Sequence, residues 1–179
     1  MGLFDKNFRE IFSAQLFSIV GGIIVGVVLA VYMDKIFLIP GMLIIIPGFL
    51  EMHISGTFAS RISAGLFLRV INPKRLHTKL IRGNAKSSFL LSITISLVLG
   101  LLAFLFNFFI LKVLTPKIIL IPLLAGILSN LILIPLTLST TVYLFKKGHD
   151  PNNIMGPFIT TAGDMISIIS LLAVILLII

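Results

Sequence analysis

The stretch that decides the fold is Asp150-Pro151-Asn152-Asn153-Ile154-Met155-Gly156-Pro157-Phe158-Ile159-Thr160-Thr161-Ala162-Gly163-Asp164, which an aliphatic run to Ile179 follows. Asp150 can cap a helix, and Pro151 suits the first helical position. The stretch therefore predicts a helix that crosses a membrane. At about 1.5 Å per residue, Asp164 lies roughly 20 Å along it, near the middle of the bilayer. A charge there costs about 2.5–3.5 kcal/mol or more, which indicates a function.

Asp164 belongs to a stripe of polar and small residues on this helix. Spacings of three, four, four and three residues place the members on one face, and they are Asn153, Gly156, Thr160, Asp164 and Ser167. Oxygen ligands around one carboxylate suit a hard cation such as Mg²⁺. We expect an ion path with Asp164, Thr160 and Asn153 as metal ligands, lined also by Gly156, Ser167 and Thr161. The alternative is a polar seam between helices, in which Asp164 is protonated or pairs with Arg61 or His53.

The composition indicates an integral membrane protein. Of 179 residues, 58% are hydrophobic and 11% charged, and the mean hydropathy is +1.20. We predict one transmembrane domain over residues 1–179, with no soluble regulatory domain. The chain contains no Cys, which excludes disulfides and thiolate metal sites. Enzyme signatures such as HExxH or a Walker loop are absent, so no enzyme is expected.

Five apolar segments predict an all-α protein with five transmembrane helices. The segments are Phe12–Met33, Phe37–Val70, Phe89–Leu111, Ile118–Phe145 and Asn152–Ile179. In residues 1–11, apolar and charged side chains recur with a helical period, which suits an amphipathic helix on the membrane surface. Pro47-Gly48 is expected to break the second segment, and Pro122 and Pro135 to kink the fourth, where Asn130 is a candidate interior residue.

The basic residues predict the orientation. With the N-terminus inside, eleven of the fourteen Lys and Arg residues fall on the inner side. The positive-inside rule then places the N-terminus in the cytoplasm and the C-terminus outside, in a plasma membrane. The basic residues lie in loops beside the apolar segments, so the net charge of +8 is explained by membrane topology. No nucleic-acid partner is therefore expected.

The second segment carries small residues and a few polar groups. Two rows at four-residue spacing, Gly56-Ser60-Ala64 and Ser55-Ala59-Ser63, favour close helix contacts. Possible contributors to the path from this segment are Ser55, Glu51 and His53. Glu51 and His53 lie on opposite helix faces, and hydrated groups at a helix end are the alternative reading. His149 is interpreted as a solvated loop residue.

The last segment resembles the signature of the MgtE magnesium-transporter family. The resemblance rests on Gly148 to Ile154, Pro157, Thr160, Thr161, Gly163 and Asp164, and on Pro47-Gly48 with Ala59 to Ser63. It is similar also to the repeats of the eukaryotic solute-carrier magnesium transporters. The resemblance implies a five-helix protomer that forms a dimer with a path on the shared axis. Asp164 would be the main cation group, with Thr160 and Asn153 facing the pore.

Two departures from the family pattern stand out. The cytoplasmic sensor domains of the bacterial members are not present in this sequence. The family's Gly-Asn pair ahead of Ser-Arg is also replaced, by the run from Glu51 to Gly56.

We therefore expect a ten-helix homodimer in the lipid membrane that moves Mg²⁺, with Mn²⁺ or Co²⁺ as surrogates and no obligatory soluble partner. Mg²⁺ releases water reluctantly, so the ion should remain largely hydrated. A Na⁺-coupled Mg²⁺ carrier or exporter is the first alternative. A non-transporting membrane scaffold subunit is an alternative of another class.

Overall fold

The computed structural model describes residues 5–50 and 54–178, and every regular element in those two ranges is helical. Six α-helices follow one another along the chain: α1 (Lys6–Phe37), α2 (Met42–Leu50), α3 (Ile54–Phe67), α4 (Lys79–Phe106), α5 (Leu120–Lys146) and α6 (Pro151–Ile178). A π-helical turn (Asn107–Leu111) ends α4, and a 3₁₀ turn (Pro116–Ile119) leads into α5.

Five stretches are long and apolar enough to cross a membrane, and the second of them, Met42–Phe67, includes residues 51–53, which lie outside the described ranges. They are Lys6–Phe37, Met42–Phe67, Lys79–Leu111, Pro116–Lys146 and Pro151–Ile178. Their lengths of 26 to 33 residues exceed the roughly 20 residues that a bilayer core requires. The predicted all-helical membrane class is confirmed.

The turn between α5 and α6 follows from local sequence. Gly148 adopts a left-handed conformation, φ +77°, after the last turn of α5. The His149 N–H donates to the Leu144 carbonyl and the Gly148 N–H to the Phe145 carbonyl, both at 3.1 Å, which is the Schellman pattern. Asp150 then caps α6, because its Oδ1 accepts from the Asn152 N–H at 2.9 Å. The predicted start of this helix is confirmed.

Two predicted features in the first fifty residues differ in the structure. The surface segment predicted over residues 1–11 is not a separate helix where the structure describes it, because α1 is continuous from Lys6. The Asp5 side chain caps this helix by accepting from the Phe8 N–H at 2.8 Å. Likewise α2 continues through Pro47 to Leu50. Pro47 removes only the one backbone bond that its own N–H would have made.

Two other predicted features also change. Thr78 caps α4, so the third segment begins as a helix at Lys79, earlier than the predicted start at Phe89. Pro122 lies in the first turn of α5, where proline disturbs little, whereas Pro135 lies inside the helix.

Helix α6 lies at the centre of the bundle. It packs against α1, α3 and α5, and α2 covers its C-terminal half. The core at that end buries residues from five helices: Ile36, Met42, Ile45, Phe49, Leu99, Ala103, Ile118, Ile121, Ala125, Leu171, Val174 and Ile175. A second core joins α3, α4 and α5 through Phe58, Ile62, Leu66, Ile71, Ile81 and Val142.

A polar seam joins α4 and α5. Ser88, Ser92 and Ser96 repeat at four-residue spacing and are all buried. Asn130 is buried, as predicted, and its Nδ2 donates to the Ser92 hydroxyl. The Ser96 side chain lies where a Cβ on Gly126 would be, so these helices can approach only because that residue is glycine.

Candidate cation path on α6

The polar stripe of α6 is open along its N-terminal half and closed beyond it. Gly156 and Thr160 are exposed, and Asn153 and Asp164 are partly exposed. Ser167 is only 5% exposed, and the residues that continue the same face, Leu171 and Val174, lie in the core under α2. The stripe from Asn153 to Asp164 therefore forms the floor of a groove.

Helix α1 forms one wall of this groove. The Phe17 and Phe158 rings stack with centroids 5.9 Å apart. Further along, the Thr161 side chain occupies the space that a Cβ on Gly21 would need. Glycine at position 21 thus sets the close approach of α1 and α6.

Helix α3 forms the other wall. Ala59 packs against Met155 and Ile159 of α6, and all three are buried. The small Ala59 side chain lets the two helices come close in the same way as Gly21 does on α1.

Three glycines leave space around the groove. A Cβ added to Gly22, Gly56 or Gly156 would meet no atom of the described residues within 4 Å. Gly156 belongs to the floor. Gly22 follows Gly21, the contact residue of α1, and Gly56 lies three residues before Ala59, the contact residue of α3. These two glycines therefore lie next to the walls. One protomer thus presents an open groove and not an enclosed tunnel.

Asp164 is the fourteenth of the 28 residues of α6, midway along a membrane-length helix. Thr160 lies one turn before it, and the Thr160 hydroxyl donates to the Gly156 carbonyl at 3.1 Å. This bond uses the hydroxyl proton, so the Thr160 oxygen can still accept hydrogen bonds from water. A carboxylate next to such acceptors suits a cation that retains its water shell.

Two of the predicted path residues on α6 are not on its open face. Thr161 is 1% exposed, and its hydroxyl donates to the Pro157 carbonyl at 3.0 Å on the side that packs against α1. Ser167 is only 5% exposed. Within one protomer, these placements do not support the pore-lining role predicted for either residue.

Of the three candidates from the second segment, the structure describes only Ser55. Ser55 is 2% exposed and faces the interior of the protomer. The predictions for Glu51 and His53 lie outside the described residues. In the described part of the chain, no three His, Cys, Asp or Glu side chains lie close enough together to hold a metal ion.

A cluster around Glu10 at the start of the stripe has no counterpart in the sequence predictions. The Glu10 side chain is 7% exposed; its Oε1 lies 2.8 Å from His149 Nδ1, and its Oε2 accepts from Asn153 Nδ2 at 3.1 Å. His149 is an exposed loop residue, as interpreted, with 44% of its side chain exposed, but it also contacts the buried Glu10, which the sequence did not predict. The sequence signal was present: Glu10 shares one face of α1 with Ala14 and Gly21.

Helices of membrane length fit a membrane-embedded protein, and a carboxylate in the middle of such a helix is typical of transport proteins. The family model MgtE, described as a divalent cation transporter, matches residues 46–174. This match covers most of the chain, which therefore belongs to the MgtE family of divalent cation transporters. MgtE is a transporter family, which agrees with the absence of enzyme signatures. A search of curated proteins and a search of solved structures each found no significant match.

Proposed function

We propose that this protein moves Mg²⁺ across the plasma membrane along the α6 stripe, with Asp164 as the principal cation site. Thr160 and Asn153 contact the water shell of the ion. One observation carries the proposal: the face from Asn153 to Asp164 is open, whereas the same face beyond Ser167 is packed under α2.

Two copies complete the path in this proposal. A single groove offers one carboxylate, and the described residues hold no cluster of three metal-binding side chains. A twofold axis along the groove would present Asp164 twice, because an isologous contact repeats each residue. On the α3 wall, the row Gly56-Ser60-Ala64, in which Gly56 is partly exposed and the other two are exposed, provides the small residues that close helix contact requires.

The chemistry of the stripe favours a hydrated Mg²⁺ ion. The remaining stripe residues are neutral, so they do not compensate for removal of several water molecules from a dication. Water-mediated contacts to Thr160 and Asn153 cost the ion little hydration. Asp164 supplies the charge, either through water or by one direct bond.

The test is uptake of Mg²⁺ into proteoliposomes that contain the purified protein, with and without an imposed Na⁺ gradient. We expect uptake without Na⁺. Uptake only with a Na⁺ gradient would replace this proposal by the coupled carrier. No flux of Mg²⁺, Mn²⁺ or Co²⁺ in either arm, from protein that remains folded, would contradict transport and leave the scaffold subunit.

A further inference from the structure

We infer that Glu10 is a positioning residue for the cation path, which holds the amide of Asn153 so that its oxygen is presented to the ion. The inference rests on the proposed function of the α6 stripe. It adds a residue of α1, a helix that lies entirely before residues 46–174, the part of the chain matched by the family model.

Glu10 is the one acidic side chain among the buried polar residues of the described chain. Burial of a carboxylate is costly unless both of its oxygens have partners. Oε1 contacts His149 Nδ1 at 2.8 Å, and Lys6 Nζ lies 3.8 Å away; Oε2 accepts from Asn153 Nδ2 at 3.1 Å. The carboxylate is thus held from two sides, and one of its contacts is the first residue of the stripe.

The chemistry of these groups determines which atom of Asn153 can meet a cation. An ionised carboxylate only accepts hydrogen bonds, so Asn153 must turn its NH₂ group towards Glu10. Asn7 Oδ1 accepts from the same nitrogen at 3.4 Å. The amide oxygen remains as the atom available to the ion, and oxygen is the ligand that Mg²⁺ and its water shell prefer. Without Glu10, the amide could present its NH₂ group, which repels a cation.

The turn that joins α5 to α6 supports the carboxylate. Gly148 ends α5 in a left-handed conformation and so brings His149 beside Glu10. Lys6 Nζ donates to the Gly148 carbonyl, which ties the same turn to the first turn of α1. His149 and Lys6 therefore fix Glu10, and Glu10 in turn fixes Asn153.

A double-mutant cycle in proteoliposomes tests this chain of contacts. The variants are Glu10→Gln, Asn153→Ala and the pair, and the readouts are the half-saturating Mg²⁺ concentration and the maximal flux. Glu10→Gln should raise the half-saturating concentration about tenfold, the size expected when one charge-assisted hydrogen bond is lost. In the Asn153→Ala background, Glu10→Gln should have no further effect. Asn152→Ala is the matched control, because Asn152 adjoins Asn153 but lies off the stripe, and it should behave as the wild type.

An equal effect of Glu10→Gln in both backgrounds would overturn the inference, because Glu10 would then act on the ion directly. A wild-type half-saturation in Glu10→Gln would overturn it as well. Glu10→Asp keeps the charge but shortens the side chain, which serves if Glu10→Gln does not fold. It should give an intermediate half-saturation, and a wild-type value would mean that charge alone suffices. Each of these outcomes leaves wild-type transport intact, whereas absence of wild-type flux refutes the proposed function itself.

Discussion

The glycine at position 156 is explained by the proposed cation path and not by packing. Glycine inside a helix costs roughly 0.5–1 kcal/mol relative to alanine. At Gly21 and Gly126 the structure gives a packing reason for glycine, because side chains of neighbouring helices occupy the space where a Cβ would lie. At Gly156 the described residues give no such reason, since no atom lies within 4 Å of an added Cβ. Space for a hydrated ion is the explanation that the proposed path offers.

Gly156→Leu should therefore separate stability from transport. Glycine is about 0.8–1.0 kcal/mol less favourable in a helix than alanine, and leucine ranks close to alanine, so leucine should favour the helix. Its Cβ meets no neighbouring side chain or other helix within 4 Å. We expect an unchanged or higher melting temperature in detergent, together with Mg²⁺ flux reduced to background.

Gly83→Leu is the matched control for this variant. Gly83 is an exposed helical glycine of α4 that also has no atom within 4 Å of an added Cβ, but it lies off the stripe. The control should transport as the wild type does. Normal flux through Gly156→Leu would show that the ion passes elsewhere.

For single residues, the sequence predicts contacts between neighbours in the chain and misses contacts between residues that are far apart in the chain. The Asp150 cap of α6 could be predicted because the cap and the helix are adjacent in the chain. The contact of Glu10 with His149 could not, because 139 residues separate the two and only the packing of α1 against α6 brings them together.

Helix α3 has two faces with different roles. The row Ser55-Ala59-Ser63 is buried inside the protomer, at 1 to 2% exposure. In the row Gly56-Ser60-Ala64, the latter two residues are exposed and Gly56 is partly exposed. The sequence predicted close helix contacts for both rows but could not tell a contact within the protomer from one between copies, because both rows have the same spacing.

Cross-linking tests the dimer at the level of this helix. The chain has no Cys, so single cysteines can be introduced without background. Cysteines at positions 56, 60 and 64 should form disulfide-linked dimers on oxidation in membranes.

Cysteines at positions 55, 59 and 63 serve as controls and should remain monomeric, since these residues pack inside one protomer. Cross-linking from the buried row, or a monomer that transports at the full rate, would contradict the proposed dimer.

Helix boundaries show the same limit of sequence reasoning. The end signals around α6 are strong, and its predicted and observed limits agree within one residue. The break predicted at Pro47-Gly48 fails because α2 continues through Pro47 to Leu50, and a proline inside a helix can bend the helix without ending it. At the N-terminus, Asp5 caps a helix that continues into the apolar run without interruption, so the described part of the predicted surface segment is not a separate helix. Its position on the membrane surface stays a prediction.

For the whole molecule, the orientation in the membrane determines which side of the membrane the open half of the groove faces. The positions of the basic residues predict that the start of α6 lies in the cytoplasm. The open half of the stripe would then face the cytoplasm, and the part under α2 would face outwards. The orientation inferred from loop charges stays a prediction. The sequence could not predict that the far half of α6 packs in a core with α2, because this depends on tertiary packing.

Thiol accessibility tests this orientation. Cysteines at positions 153, 156 and 160 should react with a membrane-impermeant thiol reagent added from the cytoplasmic side. A cysteine at position 159 should react far more slowly, because Ile159 is 1% exposed and packs against Ala59. Labelling of the three stripe positions only from the outside would reverse the orientation.

The most direct test of the path is Mg²⁺ flux through Asp164 variants in proteoliposomes. Asp164→Ala and Asp164→Asn should both lose transport while the protein stays folded in detergent, because a neutral side chain cannot balance the charge of a dication in the middle of a membrane. Asp34→Asn, which neutralises an exposed acid near the end of α1, should retain wild-type flux. Wild-type flux through Asp164→Asn would contradict the account.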